Sequence, residues 1–261
     1  NNTLSLNGEQ AIAQGGTGFA INIAGAGPVD YLSGVVVADN VCTNSTNGFK
    51  ADWFANDVIF ERNRVECDGT AFSNDGGQYI THRYNIAINT GGLLGYAFTI
   101  FRWEGIPGPP YGFEPTECNI LNNTIYGYDK GISLSDDMSN ITIKNNIFHC
   151  DFAGQTLIWR DSGATQTPLD IDNNLYYTGV NTPNFNVFGD ATYDFAGWQG
   201  LGHDASGVNA DPLLTNPPTD LTLTVPSPAK DAGVDVSLVT DFILTAVPQG
   251  SAPDIGAYEK I

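Results

Sequence analysis

The chain has 261 residues, 41% hydrophobic and only 15% charged, with 30 glycines and a net charge of −19 from 29 acidic and 10 basic residues. So acidic a balance excludes a nucleic-acid partner, since phosphate binding needs a basic surface, and it disfavours an anionic membrane. No apolar run is long enough to span a bilayer, so no membrane insertion is expected, and no capped amphipathic helix stands out.

In chain order, Asn1-Asn2-Thr3-Leu4 reads like the later Asn122-Asn123-Thr124-Ile125. The first residues therefore belong inside a repeating coil, and 1–34 are expected as an irregular or partial coil. No signal peptide stands at Asn1. An open coil end exposes strand edges, so upstream sequence or another chain is expected to cover it. Six short apolar, alternating runs then close on asparagine, at Asn40, Asn63, Asn85, Asn123, Asn146 and Asn174, with steps of 23, 22, 38, 23 and 28 residues. A unit of about 22 residues, strand plus turns, is the signature of a solenoid. Asparagine tolerates the left-handed region at a tight turn and bonds its own backbone. Stacked coil on coil, its amide also bonds along the stack. The expected fold is all-β: a right-handed parallel β-helix with an Asn ladder. Its coils run over 35–178, with an inserted loop at 102–117 and an irregular closing segment at 179–261.

Alignment on the ladder gives each residue a face. The positions five and three before each asparagine point inward: Val35 and Val37, Val58 and Phe60, Ile80 and His82, Cys118 and Ile120, Ile141 and Ile143, Leu169 and Ile171. His82 falls in that column and reads as a core histidine with a hydrogen-bond partner. The positions four and two before it face out, and they include Glu61, Arg83 and Lys144. Cys42, Cys67, Cys118 and Cys150 lack metal-ligand spacing and read as buried free thiols; a Cys42–Cys67 bridge would be badly registered. Sequons at Asn1, Asn44, Asn122 and Asn140 offer glycosylation sites, with Asn122 and Asn140 expected on exposed strand or turn positions.

A second strand follows about nine residues after each asparagine. Its end carries acidic residues in successive coils: Asp52, Asp75, Glu104, Asp136 with Asp137, and Asp161. Three readings stay open. Turn chemistry favours Asp where a strand ends. Asp136, Asp137 and Asp161 could hold Ca²⁺, an optional cofactor; none is required. Carboxyls one coil apart would match the roughly 5 Å of a retaining glycosidase, and two coils apart the roughly 6.5–9.5 Å of an inverting one. Asp75, Glu104 and Asp136 flank the insertion and are the candidate catalytic carboxyls, one of them a general acid with a raised pKa. For a lyase, the available cations are Arg83, Lys144 and Arg102. The insertion brings Trp103, Tyr111 and Phe113 beside Arg102, and aromatic faces suit sugar rings, so these four form the candidate substrate platform. The other reading is that its aromatics cover the coil.

After Asn174 the period fades. The closing segment carries Phe195-Ala196-Gly197-Trp198-Gln199, Gly202-His203-Asp204, Asp211-Pro212-Leu213, Ser227-Pro228-Ala229-Lys230-Asp231-Ala232-Gly233 and Asp254-Ile255-Gly256-Ala257-Tyr258-Glu259. Together with SNDGG (73–77), HRYNIAIN (82–89), NNTIY (122–126) and NNIF (145–148), it resembles extracellular right-handed parallel β-helix repeat proteins of the pectate-lyase-like superfamily. The likeness runs from about Val35 onward. It implies an extracellular or cell-surface location and a fold shared by polysaccharide lyases, glycoside hydrolases, tailspikes and adhesins. One departure stands out: after Asp241-Phe242, where relatives carry Gly and Arg, this chain has Ile243-Leu244-Thr245-Ala246-Val247, an apolar stretch fit to pack on the solenoid or another chain. His203 and Asp204 read as holding a loop. Two functions are expected. One is a secreted carbohydrate-active protein that cleaves or binds an extracellular polysaccharide beside the insertion. The other is a non-catalytic structural or adhesive surface protein, glycosylated and stacking end to end into a homo-oligomeric filament.

Overall fold

The computed structural model describes residues 19–24, 32–52, 55–91, 95–102, 114–150, 154–161, 163, 165–179 and 181–261, and the backbone alone of Asn2–Leu4. The chain is a parallel β-helix with three faces. Each coil runs one strand in each of three sheets, and each strand pairs with its counterpart in the next coil. The first sheet holds Asn2–Leu4, Leu32–Ala38, Ala55–Glu61, Gln78–Arg83, Thr116–Leu121, Ser139–Lys144 and Leu169–Asp172. The second holds Val41–Ser45, Arg64–Cys67, Ile86–Asn89, Thr124–Tyr126, Ile147–His149, Leu175–Tyr177 and Val208–Asn209. The third runs from Phe19–Ile23 through Asn47–Ala51, Phe72–Asp75, Tyr96–Phe101, Lys130–Leu134 and Thr156–Asp161 to Phe185–Phe188, with Ala191–Tyr193 antiparallel at its edge. Parallel pairing thus extends beyond 35–178 on both sides. The second sheet has no separate signal in the sequence, because three or four residues directly after a turn are too few to show alternation.

First-sheet register follows the asparagine steps: Val35 pairs with Val58, Val58 with Ile80, His82 with Ile120, Ile120 with Ile143 and Ile143 with Ile171. The 38-residue step therefore places its extra residues outside the ladder and leaves the pairing intact. Inward positions are buried as the alternation requires, with Leu169 only partly so. His82 stacks on Phe60 at 4.9 Å and 6° and meets Phe72 and Phe98 edge-on. Its Nδ1 has no partner among the described residues.

The turn between first and second sheets divides its work between two residues. The left-handed backbone belongs to the residue before each ladder asparagine: Asp39, Arg62, Tyr84, Asn122, Asn145 and Asn173, at φ 51–59°. The ladder asparagine itself turns its amide inward. Each Oδ1 accepts from the preceding ladder residue's backbone N–H and Nδ2, and each Nδ2 donates onward, at 2.8–3.1 Å along Asn40, Asn63, Asn85, Asn123, Asn146 and Asn174. A second Nδ2 bond reaches a backbone carbonyl, as from Asn123 to His82 at 3.0 Å. Buried amides are thereby satisfied, which burial demands.

Asp204 takes the seventh ladder place. Its Oδ1 accepts from Asn174 N–H and Nδ2 at 3.2 and 2.9 Å, and its Oδ2 from Tyr176 and Trp198 at 2.6 and 3.0 Å. A short helix, Phe195–Gly200, is capped by Asp194 and lays Trp198 on Phe185 at 4.8 Å, closing the core at this end. Six residues with one buried side chain carry too little periodicity to be read as a helix in the sequence.

The rest of the closing segment covers the outer face of the second sheet. Leu221 and Ala257 pack on Ile86 and Ile88; Leu223, Ala229 and Ile255 pack on Ile147 and Leu175. The first asparagine of two Asn-Asn pairs, Asn122-Asn123 and Asn145-Asn146, anchors it. Asn122 Nδ2 donates to Asp254 O at 3.1 Å, and Asn145 exchanges two bonds with the Val234 backbone at 2.8 and 2.9 Å. Gly256, at φ 103°, sits so close to Ile147 that a Cβ would come within 2.5 Å of its Cδ1. Asn122 is fully buried, which corrects its expected exposure and leaves no room for a glycan on the folded chain. Asn44 is exposed and Asn140 half-buried. Of the apolar stretch, Phe242 packs on Tyr258 at 5.2 Å, while Ile243 and Leu244 are 60% and 63% exposed. The stretch does not pack on the solenoid as a whole. All four cysteines are buried and free, as read from their spacing.

Candidate functional site

Where the first sheet ends, the chain turns through a left-handed residue and its outward side chains stack in columns. Glu61, Arg83, Leu121, Lys144 and Asp172 follow one another in register. At the N-terminal part of this column, Ser237, Leu238, Val239 and Thr240 of the closing segment face Glu61, Arg62, Arg83 and Tyr84 across a cleft of about 210 Å³. Glu61 is clamped. Its Oε1 meets Arg62 Nη1 at 2.8 Å, and its Oε2 meets Arg83 Nε at 2.7 Å and Nη2 at 2.5 Å. Arg62 also pairs with Asp39 at 2.7 Å, and that hydrogen bond is the main reason its pKa lies above the ordinary value. The Tyr84 side chain is buried, and its hydroxyl has no partner among the described residues. Burial, with Glu259 and Asp241 nearby, pushes that hydroxyl upward, so it is a neutral donor at any ordinary pH. The cleft is thus lined by two guanidinium groups and the hydroxyl-bearing Ser237 and Thr240, while the Tyr84 hydroxyl lies beneath its surface. Val239, 74% exposed, gives it an apolar rim.

Both oxygens of Glu61 are held by guanidinium groups. An arginine engaged by a carboxylate is no base.

The other candidates fall elsewhere. Asp75 pairs in register with Phe101, so the position beside it is not Glu104. Leu134 pairs with Arg160, which sets Ser135 next to Asp161 and leaves Asp136, at φ 67°, and Asp137 in the turn beyond the strand. The acidic line is therefore discontinuous. Asp52 and Asp75 lie together around Lys50, whereas Asp161 bonds Gly163 N–H and Asp137 bonds Thr165 N–H. Among the described residues no group of three His, Cys, Asp or Glu is arranged to hold a metal ion. Glu104, Trp103, Tyr111 and Phe113 lie outside the described residues. Arg102 reaches Glu114 and Asp137 at 3.9 and 4.0 Å. Lys144 pairs with Asp170 at 2.6 Å, two coils from Arg83 with the buried Leu121 between. Arg83 and Lys144 are on the first sheet and Arg102 follows the third, so the lyase set is not brought to one place. His203 does hold the end of the solenoid, against Arg160 at 3.0 Å and Trp198 at 4.3 Å.

Glu61, Arg62 and Tyr84 were not singled out by sequence reasoning. Glu61 and Arg83 share the outward column, which was the available signal; the other wall lies more than 150 residues away and gave none. A second missed feature is the pair Trp159 and Phe188 on the outer face of the third sheet, 5.5 Å apart, with Phe188 60% exposed. No family model and no curated protein matches the chain.

Proposed function

We propose that the chain is a secreted carbohydrate-active β-helix protein, akin to the pectate-lyase-like superfamily, that binds an extracellular polysaccharide in the cleft between Arg83 and the 237–240 segment. The observation that carries this reading is the pair of guanidinium groups, Arg62 and Arg83, that line an open cleft opposite Ser237 and Thr240. A hydrogen bond from a guanidinium to a ligand hydroxyl or carboxylate is charge-assisted and worth roughly 1.5–3 kcal/mol. At about 210 Å³ the cleft is smaller than the roughly 300–1,000 Å³ of drug-sized sites, which suits one sugar ring gripped at a time along a chain. Binding is favoured over cleavage because the one carboxylate in the cleft is locked by Arg62 and Arg83.

The test is a panel of acidic and neutral polysaccharides, with Ca²⁺ or chelator, read by affinity electrophoresis, new reducing ends and ultraviolet absorbance of unsaturated sugars. Retarded migration without products is expected, weakened about tenfold in Arg62→Ala and Arg83→Ala, the loss of about 1.4 kcal/mol from one hydrogen bond. Unaltered binding in both variants would place the glycan elsewhere. Products would overturn the non-catalytic reading, with new absorbance pointing to a lyase and its absence to a hydrolase. A non-catalytic structural or adhesive surface protein remains the second reading. The outward Ile243 and Leu244 favour it, as exposed apolar side chains suited to a second copy of the chain.

A further inference from the structure

On the outer face of the third sheet, far in sequence from the cleft's second wall, one lysine sits between two carboxylates from adjacent coils. Phe49, Lys50 and Ala51 pair with Phe72, Ser73 and Asn74, and one step on, Asp52 stands beside Asp75. Lys50 Nζ is 3.1 Å from Asp52 Oδ2 and in contact with Asp75 Oδ2. The three side chains are only 15%, 9% and 6% exposed. Asp75 Oδ1 accepts the Ser73 hydroxyl at 2.5 Å, and Ser73 in turn accepts Thr99 Oγ1 at 2.8 Å. Asp52 Oδ2 accepts Asn22 Nδ2 at 3.2 Å, and the Phe19 ring lies 5.5 Å from Lys50 Nζ.

We propose that Lys50 and Asp75 condense into an intramolecular amide bond that staples two coils together, with Asp52 as the proton carrier. Fully ionised, the trio carries one positive and two negative charges. Passing one proton from the ammonium to Asp75 leaves a neutral amine, a carboxylic acid and the Asp52 carboxylate, with the net charge unchanged. Low polarity narrows the gap between such a neutral pair and two buried ions. The amine attacks Asp75 Cγ, and the Ser73 hydroxyl stabilises the charge developing on Oδ1. The surplus proton on nitrogen passes to Asp52. Asp52 hands it to the departing Oδ2 hydroxyl, which leaves as water. The Nζ–Cγ bond forms, the Cγ–Oδ2 bond breaks and Asp52 ends ionised as it began. No oxidant or co-reactant is needed. Fixed contact supplies the high effective concentration that the reaction between two free groups in water lacks.

Desolvation raises the pKa of Asp75 against the lowering effects of Lys50 and Ser73, in the sense the step requires. For Lys50, desolvation acts downward, but the two carboxylates outweigh it and hold the ammonium above its ordinary value. The reactive neutral pair is therefore a minor population, and the bond forms slowly after folding.

Intact mass of the purified full chain tests this. After prolonged incubation at neutral pH, the mass is expected to be lower than the sequence mass by one water, with a branched peptide joining Lys50 to Asp75 after proteolysis. Lys50→Arg and Asp75→Ala are expected at full sequence mass. Asp52→Asn, which keeps the Asn22 side and the shape of the cluster, is expected to melt cooperatively yet stay unjoined, or to join at least tenfold more slowly. A wild-type chain that stays at full mass would overturn the proposal and leave a buried ion pair. So would a water loss that persists in Lys50→Arg, which would mark a cyclic imide at Asp75-Gly76. Joining in Asp52→Asn at the wild-type rate would overturn the assigned role of Asp52.

Discussion

Replacing Asn123 by alanine removes a rung from the middle of the ladder. Asn123 is fully buried. Its Oδ1 accepts from Asn85 N–H at 2.8 Å and Asn85 Nδ2 at 3.1 Å, and its Nδ2 donates to His82 O and Asn146 Oδ1, both at 3.0 Å. Four hydrogen bonds at a net ~0.5–1.5 kcal/mol each give a loss of about 2–6 kcal/mol, with about 4 as the central value. The upper half applies if no water replaces the amide, because the Asn85 N–H is then buried without an acceptor. For a chain of this size, about 4 kcal/mol corresponds to a melting temperature lower by roughly 8–16 °C. Asn119→Ala is the control: it lies on the outward face of the preceding strand, Thr116–Leu121, and loses a single 3.3 Å bond to Thr81 Oγ1, worth under about 1 kcal/mol. Thermal melts followed by circular dichroism, with urea unfolding alongside, give the comparison. If Asn123→Ala fell within about 1 kcal/mol of Asn119→Ala, the ladder would be a by-product of stacking and not a support of it.

Burial lowers the His82 pKa from 6.5 to about 3. The unfolded chain then takes the proton first, so the stability contribution is whole above pH 6.5 and falls as pH drops toward about 3, by up to ~1.4 kcal/mol per pH unit. His82→Phe, set among Phe60, Phe72 and Phe98, is expected to flatten that limb of the curve of melting temperature against pH; an unchanged slope would mean that His82 is charged in the fold. Burial also pushes the thiols up, Cys67 to about 11 and Cys118 to about 12. All four cysteines are therefore expected to resist alkylation in the native protein and to react in denaturant; a disulfide-linked pair under non-reducing conditions would contradict this.

Much of the frame was legible because parallel stacking repeats the same constraint in every coil. Six asparagines at fixed offsets from two inward positions are a pattern that chance seldom keeps, and the register honours each step, including the 38-residue one. The division of the turn between Asn122 and Asn123 was not legible. Both are asparagine, and only the backbone shows that the first adopts φ 52° while the second faces inward. The acidic line was over-read for a related reason. The third-sheet strands end nearly in register, but the acidic residues do not keep one distance from that end, so Asp75 lines up with Phe101 and Asp136 falls into a turn. The cleft lay beyond reach because Arg83 and Val239 meet only when the closing segment folds back over the coils. Many of the acidic residues that give the chain its charge turn out to bind backbone amides. Asp241 alone accepts from the N–H groups of Ile243, Thr245 and Glu259. A high acidic count can thus reflect how irregular backbone is satisfied rather than what the surface attracts.

The amide ladder has a direction. Every rung gives its backbone hydrogen and one amide hydrogen to the next rung on the C-terminal side and receives on its oxygen from the N-terminal side, so any rung can be followed by another, and a whole coil could be spliced in wherever two asparagines meet. Asp204 breaks that grammar. A carboxylate can receive from Asn174 but has no hydrogen to pass on, and its second oxygen is already committed to Tyr176 and Trp198. One atom exchanged for another, nitrogen for oxygen, serves as the full stop of the solenoid. The number of coils is written in the chemistry of a single side chain as much as in the length of the chain.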